Sequence, residues 1–355
     1  MADLTSSLSF LTDNSIAAAL KDVYGSFSER RAALGLPNPG TVDNIAREVQ
    51  KEVLLSNFMF TGLRADLTKV FGMAPLFRMS HAFAMGSAGN MPPYNFSAMY
   101  GTPKVFMQGN LGSDGGLSAV GNYRWNEKFV TKTNAQIMSG GAQGILQIDN
   151  DYTGDDFSFS LKSFNPSIFE GGLTGIYVGS YLQSVTPGLA LGFEAIWQRQ
   201  AITSRPESTL SYCAKYRGAD WIASAQLQAQ GAIAASYWKK LSDKVEAGVD
   251  MNLQFAPSAA AMMMGGPSRE GTATVGAKYD FRASTFRAQV DSAGKVSCLL
   301  EKRIAMPISL TFAGEIDHVK QQAKVGLAVS LEIAGEELME QQEKAEALGS
   351  IPPPF

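Results

Sequence analysis

The stretch Val245-Glu246-Ala247-Gly248-Val249-Asp250-Met251-Asn252-Leu253-Gln254-Phe255 alternates strictly between apolar residues and small or polar ones. A period of two puts the odd-numbered side chains on one face of a strand and the even-numbered ones on the other. The pattern recurs upstream, where Trp221, Ala223, Ala225, Leu227 and Ala229 alternate with Ile222, Ser224, Gln226, Gln228 and Gln230. It recurs again near the end. There Val325, Leu327, Val329, Leu331 and Ile333 alternate with Lys324, Gly326, Ala328, Ser330 and Glu332. Turn signals separate such segments at Asn90, 112–116, 151–156, Asn165-Pro166, Pro187-Gly188, 217–220 and 292–294. With about 14 residues per strand and turn, residues 57–332 predict about 19 strands.

So many antiparallel strands must hide their edges, and closure into a barrel is the complete solution. A 19-stranded barrel is too wide for its own side chains to fill, so an apolar interior would be an empty cavity. Reversing the faces removes the problem: the apolar face meets lipid and the polar face lines water. Tyr94, Tyr100, Tyr123, Trp125, Tyr152, Tyr177, Tyr181, Trp197, Tyr212, Tyr216, Trp221 and Tyr237 lie mostly near the inferred strand ends, where interfacial girdles form. The fold predicted is therefore an all-β membrane protein, a transmembrane β-barrel. A soluble β-sandwich or a solenoid is the competing reading, and no repeated motif supports a solenoid. Strands about 4.8 Å apart and tilted about 45° give a backbone diameter of about 40 Å and an open bore of roughly 20–25 Å.

Bulk properties agree. A hydrophobic content of 45% and a mean hydropathy of −0.04 look like a soluble protein, but alternating faces average out any hydropathy window. The longest apolar run, 259–264, is far short of the roughly 20 residues a membrane-spanning helix needs. Net charge is −3, which gives no sign of nucleic-acid binding. Residues 1–57 hold five Lys/Arg against seven Asp/Glu, and 333–355 hold one against five, so a mildly basic middle lies between two acidic ends. The start, MADLTSSLSFLTD, lacks the basic and apolar regions of a secretory signal. Two cysteines, Cys213 and Cys298, make no disulfide framework.

The flanks read as helical. In segment 1–56, a loop at 35–40 precedes Thr41, placed to N-cap a helix over about 42–55. Val42, Ile45, Val49 and Val53 form a short apolar stripe on it. A docked surface helix is one reading; a helix resting against the inner wall of the pore is the other, since the bore admits a helix about 10–12 Å across. Segment 333–355 reads as a short acidic helix over 335–348 and a proline-rich end.

Residues 38–71, NPGTVDNIAREVQKEVLLSNFMFTGLRADLTKVF, join that helix to an expected first strand at 57–66. With the strand pattern, they resemble the eukaryotic mitochondrial porin superfamily, which contains the voltage-dependent anion channel and the translocase channels. The long amino-terminal segment and the tail after the last strand resemble the translocase branch in its fungal form. Lys324-Val325-Gly326-Leu327-Ala328-Val329-Ser330-Leu331 also resembles that family's β-signal, in which Lys324, Gly326, Val329 and Leu331 occupy the specified positions. The resemblance implies 19 strands with first and last parallel, and recognition of the last strand by an assembly machinery that adds it to an open edge. It implies a protein-conducting channel of the mitochondrial outer membrane for unfolded, presequence-bearing precursors. Its implied partners are a central single-span receptor subunit, small helical subunits, precursor receptors, a second copy of the pore and membrane lipids. A metabolite porin and a non-conducting scaffold are the alternatives.

No enzyme site or cofactor site is legible. His81 and His318 are far apart and read as pore-wall or rim residues, and Met262–Met264 read as part of a long loop. Presequences in the resembling family are basic, so an exit site for them is expected to be acidic. Asp149, Asp151, Asp155 and Asp156 around the turn after strand seven are candidates, as are Glu336, Glu337 and Glu340, with Glu343 and Glu346, after strand nineteen. Strands of equal parity run the same way, which puts both clusters at one rim.

Overall fold

The computed structural model describes residues 29, 31, 34–73, 75–86, 92–138, 144–167, 173–200, 203–228, 231–255, 270–305 and 307–334. Among them are nineteen strands. The first seven are β1 Gly62–Met73, β2 Leu76–Met85, β3 Tyr94–Gly101, β4 Val105–Gly112, β5 Leu117–Arg124, β6 Phe129–Ile137 and β7 Ile145–Thr153. Then come β8 Phe157–Ser167, β9 Thr174–Ser184, β10 Leu189–Arg199, β11 Glu207–Arg217, β12 Trp221–Leu227 and β13 Ala232–Ser242. The last are β14 Val245–Gln254, β15 Glu270–Asp280, β16 Ser284–Asp291, β17 Lys295–Ala305, β18 Ile308–Asp317 and β19 Gln322–Ala334.

Each strand pairs antiparallel with the next, and β1 pairs with β19 in parallel from Gly62↔Gly326 to Val70↔Ala334. The sheet thus closes on itself and leaves no edge, the condition for strands to cross a bilayer. No helix among the described residues is long and apolar enough to cross one. The odd-numbered strands all end at one rim, called here the odd-end rim.

The register carries the period-two pattern around the barrel. Gly248 lies opposite Gly276, which is followed across successive strands by Gln289, Ser297, Glu315 and Lys324. One residue on, Val249 lies opposite Val275, then Val290, Val296 and Ile316. Val275 and Val290 are each 53% exposed. Large exposed apolar side chains of this kind surround the wall, which suits a face turned to lipid. Ring pairs such as Tyr123–Trp125, Tyr152–Phe157, Tyr216–Trp221 and Tyr279–Phe281 gather near the odd-end rim.

Several boundaries differ from the sequence reading. The first strand begins at Gly62, not at Asn57, because Gly62 takes a positive φ of 83° and a Cβ there would sit 2.3 Å from the Met85 carbonyl oxygen. Asn165-Pro166 is no turn: it lies in β8, where Asn165 takes a φ of 46° and the register to β9 shifts between Phe164 and Ser167. A bulge keeps the strand paired around a proline that cannot donate. Asp149 and Asp151 belong to β7 itself, and the turn proper is 154–156. Asn90, the Met262–Met264 run and the tail after Ala334 lie outside the described residues.

The face assignment has a direct consequence. Val275→Arg, on the apolar face, is expected to cost about 2–4 kcal/mol of barrel stability, whereas Thr274→Arg on the polar face costs far less. Denaturant unfolding of the barrel refolded into lipid bilayers measures both; equal costs would contradict the assignment.

Candidate functional site: a segment seated on the polar face

The described residues 37–55 follow the polar face from one rim to the other. At the odd-end rim, the Ser184 hydroxyl donates to the Pro37 carbonyl at 2.7 Å, and the Asn38 amide donates to the Gly154 and Phe157 carbonyls at 2.7 and 3.0 Å. Arg31 bonds Asp156 and the Ser184 carbonyl there as well. Farther along, Asp43 pairs with Lys162 on β8, and Glu48 with Lys215 on β11 at 3.4 Å. Gln50 donates to Asp250 on β14 at 3.2 Å. At the far end Arg287 on β16 donates to the Glu52 carbonyl at 3.1 Å, and the Leu55 N–H donates to Gln289 Oε1 at 2.6 Å.

Apolar contacts are interleaved with these. Val42 and Ile45 pack with Leu182, Ala190 and Cys213, and Leu55 packs with Leu299 and Ala313. Val49 and Val53 are almost wholly buried, at 2% and 0% exposure. They meet the wall where it has no side chain: a Cβ on Gly248 would sit 3.1 Å from Val49 Cγ1, and one on Gly276 would sit 2.8 Å from Leu54 Cδ2.

This segment is not the single α-helix expected over 42–55. Val42–Asn44 forms a 3-10 turn and Glu48–Val53 a π-helix, with Leu54 N–H bonded to the Val49 carbonyl at 2.9 Å. Thr41 is extended and its side chain caps nothing; instead its hydroxyl accepts from the Asn44 amide at 3.0 Å. The stripe is β-branched at Val42, Ile45, Val49 and Val53, which crowds an α-helical turn. The wider i→i+5 turn also swings Leu54 onto the same wall as Val49 and Val53.

In β19, Lys324 and Gly326 lie on the polar face and Val329 and Leu331 on the apolar one. Lys324 stands 3.6 Å from Glu315. Gly326 faces Gly62 across the seam, and a Cβ on it would lie 2.5 Å from the Phe60 carbonyl oxygen. The aspartates around β7 are each engaged. Asp151 pairs with Lys132 at 2.7 Å and accepts from the Ser160 hydroxyl; Asp155 pairs with Lys128 at 2.7 Å; Asp156 pairs with Arg31. The Asp155 carboxylate holds the exposed Lys128 ammonium above the usual lysine range. Asp149 accepts from the Gln147 amide and stands opposite Lys132 and Lys162. Glu336, Glu337 and Glu340 lie outside the described residues. His81 sits on the apolar face, with its Nδ1 2.8 Å from the Tyr94 hydroxyl. Among the described residues, no His/Cys/Asp/Glu group could hold a metal ion. Both cysteines are free, Cys213 buried and Cys298 exposed.

The family model of the eukaryotic porins matches residues 38–326, from the segment seated on the wall into the last strand. The chain belongs to the eukaryotic porin family. Its similar relatives include the mitochondrial import receptor subunit tom40 of Neurospora crassa, 57% identical and covering 97% of each chain. The mitochondrial import receptor subunit TOM40 of Saccharomyces cerevisiae is 42% identical over 96% of this chain and 90% of its own. A probable mitochondrial import receptor subunit TOM40-2 of Arabidopsis thaliana is 29% identical over 89% and 97%. With such coverage at 57% and 42% identity, the chain falls within the Tom40 branch of the porin family.

In this porin the wall side of the site was not legible in sequence. Lys162, Lys215, Arg287 and Gln289 look like any polar-face residue, and Gly248 and Gly276 like any strand glycine, until the register sets them under the segment. Gly248→Val and Gly276→Val are therefore expected to unseat Val49 and Val53 while leaving the strands paired. A thiol placed at Val53 in these variants should become reactive to water-soluble reagents, whereas with the native glycines it stays protected. Unchanged protection would show that the segment does not rest there.

Proposed function

We propose that this barrel is the protein-conducting channel of the mitochondrial outer membrane translocase, carrying unfolded, presequence-bearing precursors through its bore. The observation that carries the reading is the 57% identity to a mitochondrial import receptor subunit over 97% of both chains. The physical scale agrees with it. Nineteen closed strands give a bore of roughly 20–25 Å, which passes an extended chain or one helix but no folded domain.

In this reading segment 1–56 threads the lumen, residues 57–332 are essentially the barrel, and 333–355 are an acidic tail. Neighbouring residues support the threading: Glu48 reaches Lys215 on β11 while Val49 touches Gly248 on β14. Three strand spacings separate those walls, about 14 Å along the sheet. Adjacent residues span such a gap on the concave side of a barrel. Deleting residues 1–55 is then expected to leave the barrel folded and its single-channel conductance larger or unstable. Unchanged recordings would argue for a segment outside the pore.

The partners of the reading are the central single-span receptor, the small helical subunits and a second copy of the pore, with lipids around the wall. Lys324, Gly326, Val329 and Leu331 serve as the assembly signal, and the Asp149–Asp156 group with the tail glutamates Glu336, Glu337 and Glu340 as an exit-side site for cationic presequences. Since Asp151, Asp155 and Asp156 already hold lysine or arginine, a presequence there displaces cations of the chain itself. A cationic presequence peptide is expected to block the reconstituted channel at micromolar concentration, most strongly at low salt. A neutral peptide of equal length should not, and equal block by both would point to a metabolite porin.

A further inference from the structure

At the odd-end rim the polar face holds a second feature, which shares Asp151 with the aspartate group but is built on cations that the import reading does not use. A cavity of about 260 Å³ opens among the turn before β4 and strands β4–β7, with Thr41 of the segment ahead of β1 also in its lining. Lys104, in the turn before β4, and Arg124, at the end of β5, both line it. They are neighbours, since the Arg124 N–H donates to the Lys104 carbonyl at 2.8 Å. Neither side chain has an ion-pair partner among the described residues. Lys132 is the third cation in the lining, and among the described residues Asp151 is its one carboxylate, paired with Lys132 at 2.7 Å. Asp149 stands opposite Lys132 one rung deeper and is bonded by Gln147. Two positive charges are therefore left over. Uncharged donors complete the set: the Thr41 and Thr153 hydroxyls and the Asn122 amide. Phe106 and Val130 form an apolar floor that lowers the local dielectric.

We propose that this cavity binds a small phosphate-bearing anion. Two uncompensated cations, one of them a guanidinium with a planar fork of donors, match a dianionic group with several acceptor oxygens. Size decides against larger occupants. About 260 Å³ is below the range of drug-sized pockets and cannot take a peptide helix 10–12 Å across. Because Thr41 belongs to the segment and the cations belong to the wall, an occupied site ties the segment's entry to β4–β7. It also removes positive charge from that mouth of the pore. The site follows from the pocket alone and does not depend on what passes through the bore.

Calorimetric titration of pyrophosphate into the full-length protein in lipid nanodiscs, at low salt, tests this. Saturable binding to one site is expected, weakened at least about tenfold in Lys104→Gln/Arg124→Gln. Lys240→Gln, which removes a cation paired with Asp243 at the same rim, should bind as the native protein does. Native β-content by circular dichroism separates lost binding from lost fold. ATP in place of pyrophosphate distinguishes the source of the phosphate: equal affinity assigns the site to phosphate alone, tighter binding to a nucleotide. No saturable binding of pyrophosphate, or binding unaltered by the double substitution, overturns the site.

Discussion

Everything in this molecule follows from the requirement that each backbone N–H and C=O inside hydrocarbon be bonded within the protein. Nineteen strands meet it only by closing the sheet, and eighteen reversals of direction leave the last strand running the same way as the first. The seam is therefore parallel, with slanted and slightly weaker bonds than its neighbours. Gly62 and Gly326 face each other where it begins. Phe60 lies against Gly326, where a side chain would collide with it, so the entry to β1 is packed against the strand that completes the barrel. Gly326 is thus needed by the finished seam as well as by any machinery that reads the last strand.

The odd count has a second consequence. β1 starts at the rim opposite the one where β19 ends, and residues 37–55 cover that distance along the polar face. A polar wall is a poor bed for an apolar stripe, and the two glycines resolve the conflict by offering backbone where a side chain would stand. Magnitudes separate the roles of the contacts. Burying Val49 and Val53 contributes roughly 1.5–3 kcal/mol each, whereas ion pairs reached by water contribute about 0–1 kcal/mol each. The valines hold the segment to the wall. The pairs Asp43–Lys162 and Glu48–Lys215 fix where along it each turn sits.

Legibility in the sequence divides along the same line. The period of two in 245–255 is a property of one strand and survives intact in β14, faces included. Strand number followed from spacing, and the parallel seam from the family resemblance. What failed depended on neighbours far away in sequence. Asn165-Pro166 has turn chemistry, yet the pairing of β8 with β9 on both sides absorbs it as a bulge. Thr41 has capping chemistry and stands at the N-cap of the short 3-10 turn, yet its hydroxyl accepts from the Asn44 side-chain amide and makes no cap bond. The four aspartates read as one acidic patch, and the lysines and the arginine that engage three of them lie 19 to 125 residues away in the chain. Charge along a strand is visible in sequence; its compensation across strands is not.

The segment also covers the polar face unevenly. Among the described residues its bonded and packed contacts run from the β7–β8 turn round to β19, with Thr41 alone beside β4–β7, so the segment touches the polar face of β2–β6 least. There one rung reads Ser80, Ser97, Asn110, Ser118 and Gln136 on consecutive strands, all hydroxyls and amides. Asn110 donates to the Ser118 hydroxyl at 3.2 Å, and Gln108 donates to Asn110 and to Ser97. Groups of this kind can exchange one another, or water, for the backbone of a passing chain at nearly equal free energy, because a neutral hydrogen bond is worth only about 0.5–1.5 kcal/mol net. A charged wall would hold such a chain at each ion pair, and an apolar one would hold every buried aliphatic side chain by a larger margin. A surface that binds each passing residue weakly and alike suits transit.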